Sequence, residues 1–216
     1  MSNQAIIFDL DGTLLNTLQD LADSVNSVLA DRAWPEHSVD AYRYFVGDGL
    51  NMLVRRVVPE YISDQSVISE CIQAVRLEYS RRWKNTTVPY PGVLQALEEM
   101  ARKKIVMGVL SNKPHEATLD AVRYFFPDGY FYMIRGALPD QTLKPDPGAA
   151  LEMAASMGTN PGQVYFLGDS SVDMKTANSS GMIALGAAWG FRGRQELLRA
   201  GARHILDTPL ELPGYF

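Results

Sequence analysis

The sequence predicts an α/β fold, a doubly wound parallel sheet with an all-helical unit inserted after its first strand, and three observations predict it. Short, wholly apolar runs recur along the chain and run into polar clusters. Helical patterns separate the later runs, and strand-helix alternation of this kind builds a parallel sheet covered on both faces. Between the first run and Val88, by contrast, the pattern is helical throughout.

Ala5-Ile6-Ile7-Phe8 opens the alternation and ends in Asp9-Leu10-Asp11-Gly12-Thr13. A run with no polar interruption suits a strand buried on both faces. Leu18, Leu21, Ala22, Val25, Val28 and Leu29 then recur at helix spacing, as do Val67, Ile68, Cys71, Ile72, Val75 and Tyr79. A parallel crossover needs only one helix of about a dozen residues. The surplus assigns residues 16–84 to a helical cap domain and residues 1–15 and 85–216 to a Rossmann-like core. Val93, Leu94, Leu97 and Met100 mark the next helix, with Pro91 at a first-turn position. Residues 105–110 form a strand running into Ser111-Asn112-Lys113. Helices follow over 114–124 and 147–157, and a strand over 164–167 runs into Gly168-Asp169-Ser170-Ser171. Short strands at 182–185 and 204–206, with a helix at 194–200 between them, complete the pattern.

Twenty Lys and Arg against 25 Asp and Glu leave a net charge of −5 on 216 residues that are 46% hydrophobic. That balance excludes disorder, collagen and coiled coil, and with no basic block it argues against nucleic-acid or membrane-surface partners. The single cysteine, Cys71, excludes a disulfide framework, and His37, His115 and His204 have no metal-ligand spacing. Met1-Ser2-Asn3-Gln4 precedes only four apolar residues, which is no signal peptide. The expectation is a cytoplasmic monomer or homodimer acting on a small ligand.

In an open parallel sheet the carboxyl ends of the strands line the ligand crevice, so Asp9, Asp11, Ser111 and Asp169 should converge there, with Lys144 and Asp173 reaching in from later loops. Carboxylates so crowded repel one another unless a cation neutralises them, and oxygen ligands of this kind suit Mg2+. Asp9 beside Lys144 can attack phosphorus to give an aspartyl phosphate, which must then be hydrolysed. Asp11 lies within reach of the leaving oxygen as acid and then base. Ser111, the backbone donors around Asn112, and Lys144 would hold the phosphoryl oxygens. Asp169 is a metal ligand, and Asp173 binds the metal or orients Asp169 and a metal-bound water.

Asp9-Leu10-Asp11-Gly12-Thr13-Leu14, Ser111-Asn112-Lys113, Lys144-Pro145-Asp146-Pro147 and Gly168-Asp169-Ser170-Ser171-Val172-Asp173 resemble the four ordered motifs of the haloacid dehalogenase-like hydrolases. The resemblance implies the fold, the magnesium, the Asp9 nucleophile and the cap, and it implies that Asp11 meets the metal through its backbone carbonyl. Ser111 stands where many members carry Thr and keeps the hydroxyl. Dehalogenases and phosphonate cleavers of that superfamily lack the second aspartate, and the latter need a cap lysine, whereas this chain has Asp11 and no Lys before Lys84. Phosphoester chemistry on a small phosphorylated metabolite is therefore expected. A sugar phosphomutase of the same superfamily and, from another class, a signalling module phosphorylated on aspartate are the alternatives.

Val46-Gly47-Asp48-Gly49-Leu50 with Leu53 and Val54, and the tail from Trp189-Gly190-Phe191-Arg192 to Leu206, are similar to the phosphoglycolate phosphatase branch. That places substrate selection at Gly47, Asp48 and Gly49. The bland reading of the two glycines is a turn between helices. Arg55 and Arg56 could read a substrate carboxylate, although such pairs more often form a solvated face.

Overall fold

The computed structural model describes residues 4–216. Residues 1–3 of the segment assigned to the core thus lie outside the described residues. Strand β1 (Ala5–Phe8) leads to β2 (Leu15–Asn16) and four helices, α1 (Leu18–Asp31), α2 (Val39–Phe45), α3 (Leu50–Val57) and α4 (Gln65–Arg82). The chain returns through β3 (Val88–Pro89), α5 (Val93–Arg102), β4 (Val106–Pro114), α6 (His115–Phe125) and β5 (Met133–Ala137). There follow α7 (Gly148–Ser156), β6 (Val164–Gly168), α8 (Ser171–Ser179), β7 (Ile183–Ala187), α9 (Arg194–Arg199), β8 (His204–Leu206) and a closing 3-10 helix, Pro209–Tyr215.

Six parallel strands form one sheet in the order β5-β4-β1-β6-β7-β8. Continuous hydrophobicity puts β1 at its centre. Every β1 residue is at most 1% exposed, with Ile6 and Phe8 in the apolar layer on one face and Ala5 and Ile7 in that on the other. Burial of a side chain such as Ile6 or Phe8 contributes about 1.5–3 kcal/mol. The third apolar cluster belongs to the helices after β2. Leu21, Val25 and Leu29 of α1 meet Tyr42 of α2, Leu53, Val54 and Val57 of α3, and Ile68, Cys71 and Val75 of α4.

The chain enters and leaves this helical region side by side, because β2 pairs antiparallel with β3. Asp20, in the first turn of α1 and 1% exposed, fastens the crossing. Its carboxylate accepts the Thr86 and Thr87 N–H groups at 2.9–3.1 Å and both hydroxyls at 2.6 and 2.7 Å. Burial works to raise the pKa of this group, but the Thr86 and Thr87 hydrogen bonds outweigh it and hold Asp20 below the usual carboxylate range.

Three local expectations are corrected. Ser111-Asn112-Lys113 does not leave the sheet, because β4 runs on to Pro114 with a break in register after Leu110. Asp173 lies not in a loop but in the first turn of α8. Pro91 falls before α5, whose cap is Gly92. The edge strand β5 is an addition, since Arg135 and Gly136 interrupt its apolar run.

Candidate active site

β1, β4 and β6 deliver their carboxyl ends to one crevice. Asp9 is the first residue after β1, and its N–H donates to the Leu167 carbonyl of β6 at 2.9 Å. Its side chain is buried against Lys144, whose Nζ donates to Asp9 Oδ1 and to Asp173 Oδ1, each at 2.7 Å. Asp173 has a second task. As the third residue of α8 it accepts the Ser170 N–H and hydroxyl on Oδ2 at 3.1 and 2.7 Å, closing a capping box. The helix start and the ammonium contact fix the same carboxylate from opposite sides.

Asp169 accepts the Phe191 N–H at 2.7 Å and the Thr13 hydroxyl at 3.3 Å. The approach of the first loop to Asp169 requires glycine at position 12. There φ is +91°, and a Cβ would lie 2.4 Å from Asp169 Oδ2. Asp9, Asp169 and Asp173 all offer carboxylate oxygens within 4.8 Å of one another, each residue at most 8% exposed.

Three carboxylates share one ammonium, and Asp9 and Asp169 register the deficit in their affinity for protons. Burial pushes Asp9 up, Lys144 pulls it down and Asp173 pushes it up again, for a value of about 7. Burial, then the Asp173 and Asp9 charges, raise Asp169 well above the carboxylate range. Burial acts to lower the Lys144 ammonium, but Asp173 and Asp9 more than reverse this. A hard divalent cation fits such a site, since the donors are all oxygen and the charge it would bring is the charge that is missing.

The Asp11 carboxylate is set apart from the trio. Lys113 Nζ donates to its two oxygens at 2.9 and 3.1 Å and to the Tyr79 hydroxyl of α4 at 2.8 Å. Ser111, 5% exposed, accepts the Lys113 N–H on its hydroxyl at 3.1 Å. The Asn112 carboxamide is spent on structure. It takes the Lys144 N–H at 2.8 Å and donates to the Lys144 and Gly47 carbonyls at 2.9 and 3.0 Å. Asn112 thereby presents Lys144 and ties the crevice to the helical region.

Gly47 and Gly49 have positive φ, +124° and +84°, and a Cβ on Gly49 would approach Leu143 Cδ1 to 3.2 Å. Their loop therefore meets the crevice through backbone. Asp48 is turned to Arg56, which donates to its Oδ2 at 2.5 Å and to the Phe45 carbonyl at 3.0 Å, while Arg55 donates to Gln65. Arg56 is thus spent on the loop, while Arg55 is exposed with a neutral partner.

Lys113, Tyr79 and the β7–α9 segment are the contributors that residue-by-residue reading of the sequence did not assign. Phe191 joins the apolar cluster of the helices while its N–H holds Asp169, and Arg192 donates to the Tyr44 and Val46 carbonyls at 3.3 and 3.2 Å. The Lys113-Asp11 contact joins residues 102 apart, which no local pattern encodes. Only the place of Lys113 inside the second motif was a signal.

The family model described as haloacid dehalogenase-like hydrolase matches residues 6–187, and the chain belongs to that family. A phosphoglycolate phosphatase of Psychrobacter arcticus is 30% identical over 100% of this chain and 96% of its own. Another from Pasteurella multocida is 31% identical over 85% of each chain. The crystal structure of a predicted phosphoglycolate phosphatase from Haemophilus somnus superposes with a TM-score of 0.92 at 26% identity, covering 100% of this chain and 98% of the other.

Proposed function

We propose that this enzyme, a phosphoric monoester hydrolase, is a Mg2+-dependent phosphatase of small phosphomonoesters, with 2-phosphoglycolate the leading substrate and Asp9 carrying the phosphoryl group between two half-reactions. The observation that carries the reading is the buried Asp9 carboxylate with Lys144 on one oxygen, within 4.8 Å of two further carboxylates.

Asp9, Asp169 and the Asp11 backbone carbonyl would hold the metal, with Asp173 binding it or orienting its surroundings. Bound there, the ion supplies positive charge to the carboxylates and to the phosphoryl oxygens. Asp9 attacks phosphorus as the bond to the ester oxygen breaks, and Asp11 gives that oxygen its proton. Water then attacks the aspartyl phosphate, its proton passing to Asp11, and the bond between phosphorus and the Asp9 oxygen breaks to restore the carboxylate. Ser111, the backbone around Asn112, and Lys144 hold the phosphoryl oxygens through both steps. Residues 16–84 act as a cap domain that covers the crevice and excludes water. Selection of the leaving group lies at its inner face, including the 47–49 loop. The relatives named phosphoglycolate phosphatase over nearly their whole length support the substrate.

Purified protein should release phosphate from p-nitrophenyl phosphate only with Mg2+, and from 2-phosphoglycolate in preference to hexose phosphates and nucleoside monophosphates. A long-lived phosphoenzyme without release would make the chain a signalling module. Isomerised sugar phosphate in place of free phosphate would make it a mutase.

A further inference from the structure

We propose that Lys113 and Tyr79 form the subsite for a carboxylate on the leaving group, and that the substrate's carboxylate takes the place on Lys113 that Asp11 occupies in this structure. The inference deepens the phosphatase reading and rests on it.

Of the cations near the crevice, Lys144, Arg56, Arg192 and Arg135 are committed, the last to Glu152 and Gln141. Lys144 bridges Asp9 and Asp173. Arg56 is held by Asp48 and the Phe45 carbonyl. Arg192 donates to the Tyr44 and Val46 carbonyls and lies 5.0 Å from the Tyr44 ring centroid. Lys113 differs, because its ionic partner is the group that must serve the leaving oxygen. Its side chain is 6% exposed, and its charge is matched by Asp11 alone, with Tyr79 accepting a further hydrogen bond.

When Asp11 turns to the ester oxygen, that contact is given up, and a buried ammonium without an opposite charge is unfavourable. A leaving group bearing a carboxylate one carbon from the ester oxygen brings the replacement to the right side, since whatever Asp11 reaches lies next to Lys113. Tyr79 completes the subsite. Its oxygen accepts from Lys113 and donates to none of the described residues, so its O–H is available to a second carboxylate oxygen. Because Tyr79 belongs to α4 and Lys113 to β4, the subsite is assembled only when the helices lie over the strands. A neutral leaving group of the same size leaves Lys113 uncompensated.

The test compares kcat/KM for 2-phosphoglycolate and ethyl phosphate, which differ in the carboxylate, on the full chain with Mg2+. Wild type should favour phosphoglycolate by about 100-fold or more. Lys113→Met should lower that ratio by at least about tenfold and Lys113→Arg by less, while Tyr79→Phe should lower it about threefold through KM. A ratio unchanged in Lys113→Met, or wild type without preference, would overturn the subsite while hydrolysis of both esters left the phosphatase reading standing. Failure of wild type on every monoester would instead remove the function itself. Should Lys113→Met not fold, Tyr79→Phe carries the decision, and an unchanged ratio there overturns the proposal.

Discussion

The strand ends and the helices above them handle charge in opposite ways. In the crevice, Asp9, Lys144, Asp169 and Asp173 are nearly inaccessible; Asp9 is held by Lys144, and the other three are each held from more than one direction by motif residues or by Phe191 N–H. On the helices, Asp48 and Arg56 pair with each other while about 30% exposed, and the loop between α2 and α3 reaches the crevice with a carbonyl. A buried, over-determined cluster keeps its geometry whatever alcohol is attached to the phosphate. A half-exposed, glycine-rich loop can be rebuilt without disturbing it. On the proposed function, the difference separates where the reaction is done from where its substrate is chosen, and substitutions in the two regions should have different signatures.

The largest effect belongs to the crevice. Asp9→Asn should reduce turnover of every phosphomonoester by about 10⁴-fold or more and leave no phosphoenzyme, because an amide is a poor nucleophile. Asp11→Asn should retain transfer from p-nitrophenyl phosphate, whose leaving group needs little protonation, and should accumulate phosphoenzyme. Rapid-quench detection of acid-stable protein phosphate distinguishes them. Activity near wild type in Asp9→Asn would dissolve the division.

Between the regions lies the crossing. Asp20→Asn should destabilise the protein by about 2–4 kcal/mol, because the amide cannot accept all of the contacts that the carboxylate takes from Thr86 and Thr87. The pKa of Asp20 is lowered in the fold, so its contribution is complete above the unfolded carboxylate value near 4 and fades as pH falls. Denaturation in urea should therefore show a gap between wild type and variant that is wide at pH 7 and narrows below about pH 4. A constant gap would assign the loss to packing.

How much of this was legible in the sequence divides along the same line. β1 was readable because burial on both faces demands an unbroken apolar run, and the helices because Leu21, Val25 and Leu29 fall on one stripe. The crevice was readable because strand ends converge irrespective of sequence distance. The edge at β5 was not, since that strand needs to satisfy only one neighbour and tolerates Arg135 and Gly136. Nor were the contacts between regions. Asp20 with Thr87, Lys113 with Tyr79, and Arg192 with Val46 each join distant segments through polar groups that leave no periodic trace.

Metal should act on the crevice alone and follow pH. The pKa of Asp9 is raised to about 7, so the folded protein binds a proton there more tightly than the unfolded chain. That contribution is complete below the unfolded value near 4 and lost as pH rises through 7. Since the cation competes with that proton, Mg2+ should raise the melting temperature more at pH 8 than at pH 5.5, with about 1–3 kcal/mol of stabilisation at saturating ion. In Asp9→Asn the pH dependence of the rise should flatten. A rise greater at pH 5.5 would contradict the charge deficit.

The smallest effect, and the one most specific to the helical side, is expected from Arg56→Ala. Arg56 touches neither the carboxylate trio nor Lys144, and what it holds is the loop itself, through Asp48 Oδ2 and the Phe45 carbonyl. A half-exposed pair of this kind contributes at most about 1 kcal/mol to stability, so the variant should melt close to wild type. Released from Arg56, the loop keeps the Asn112 contact to Gly47 but loses its outer support, and its backbone samples more positions over the crevice. The consequence should be a rise in KM of about three- to tenfold for small substrates, with bulkier hexose phosphates affected less, and no change in the rate of phosphoenzyme hydrolysis. A fall in kcat shared equally by all substrates would show instead that the loop helps to set the chemistry, and the separation between crevice and helices would fail at the residue where it is most exposed to test.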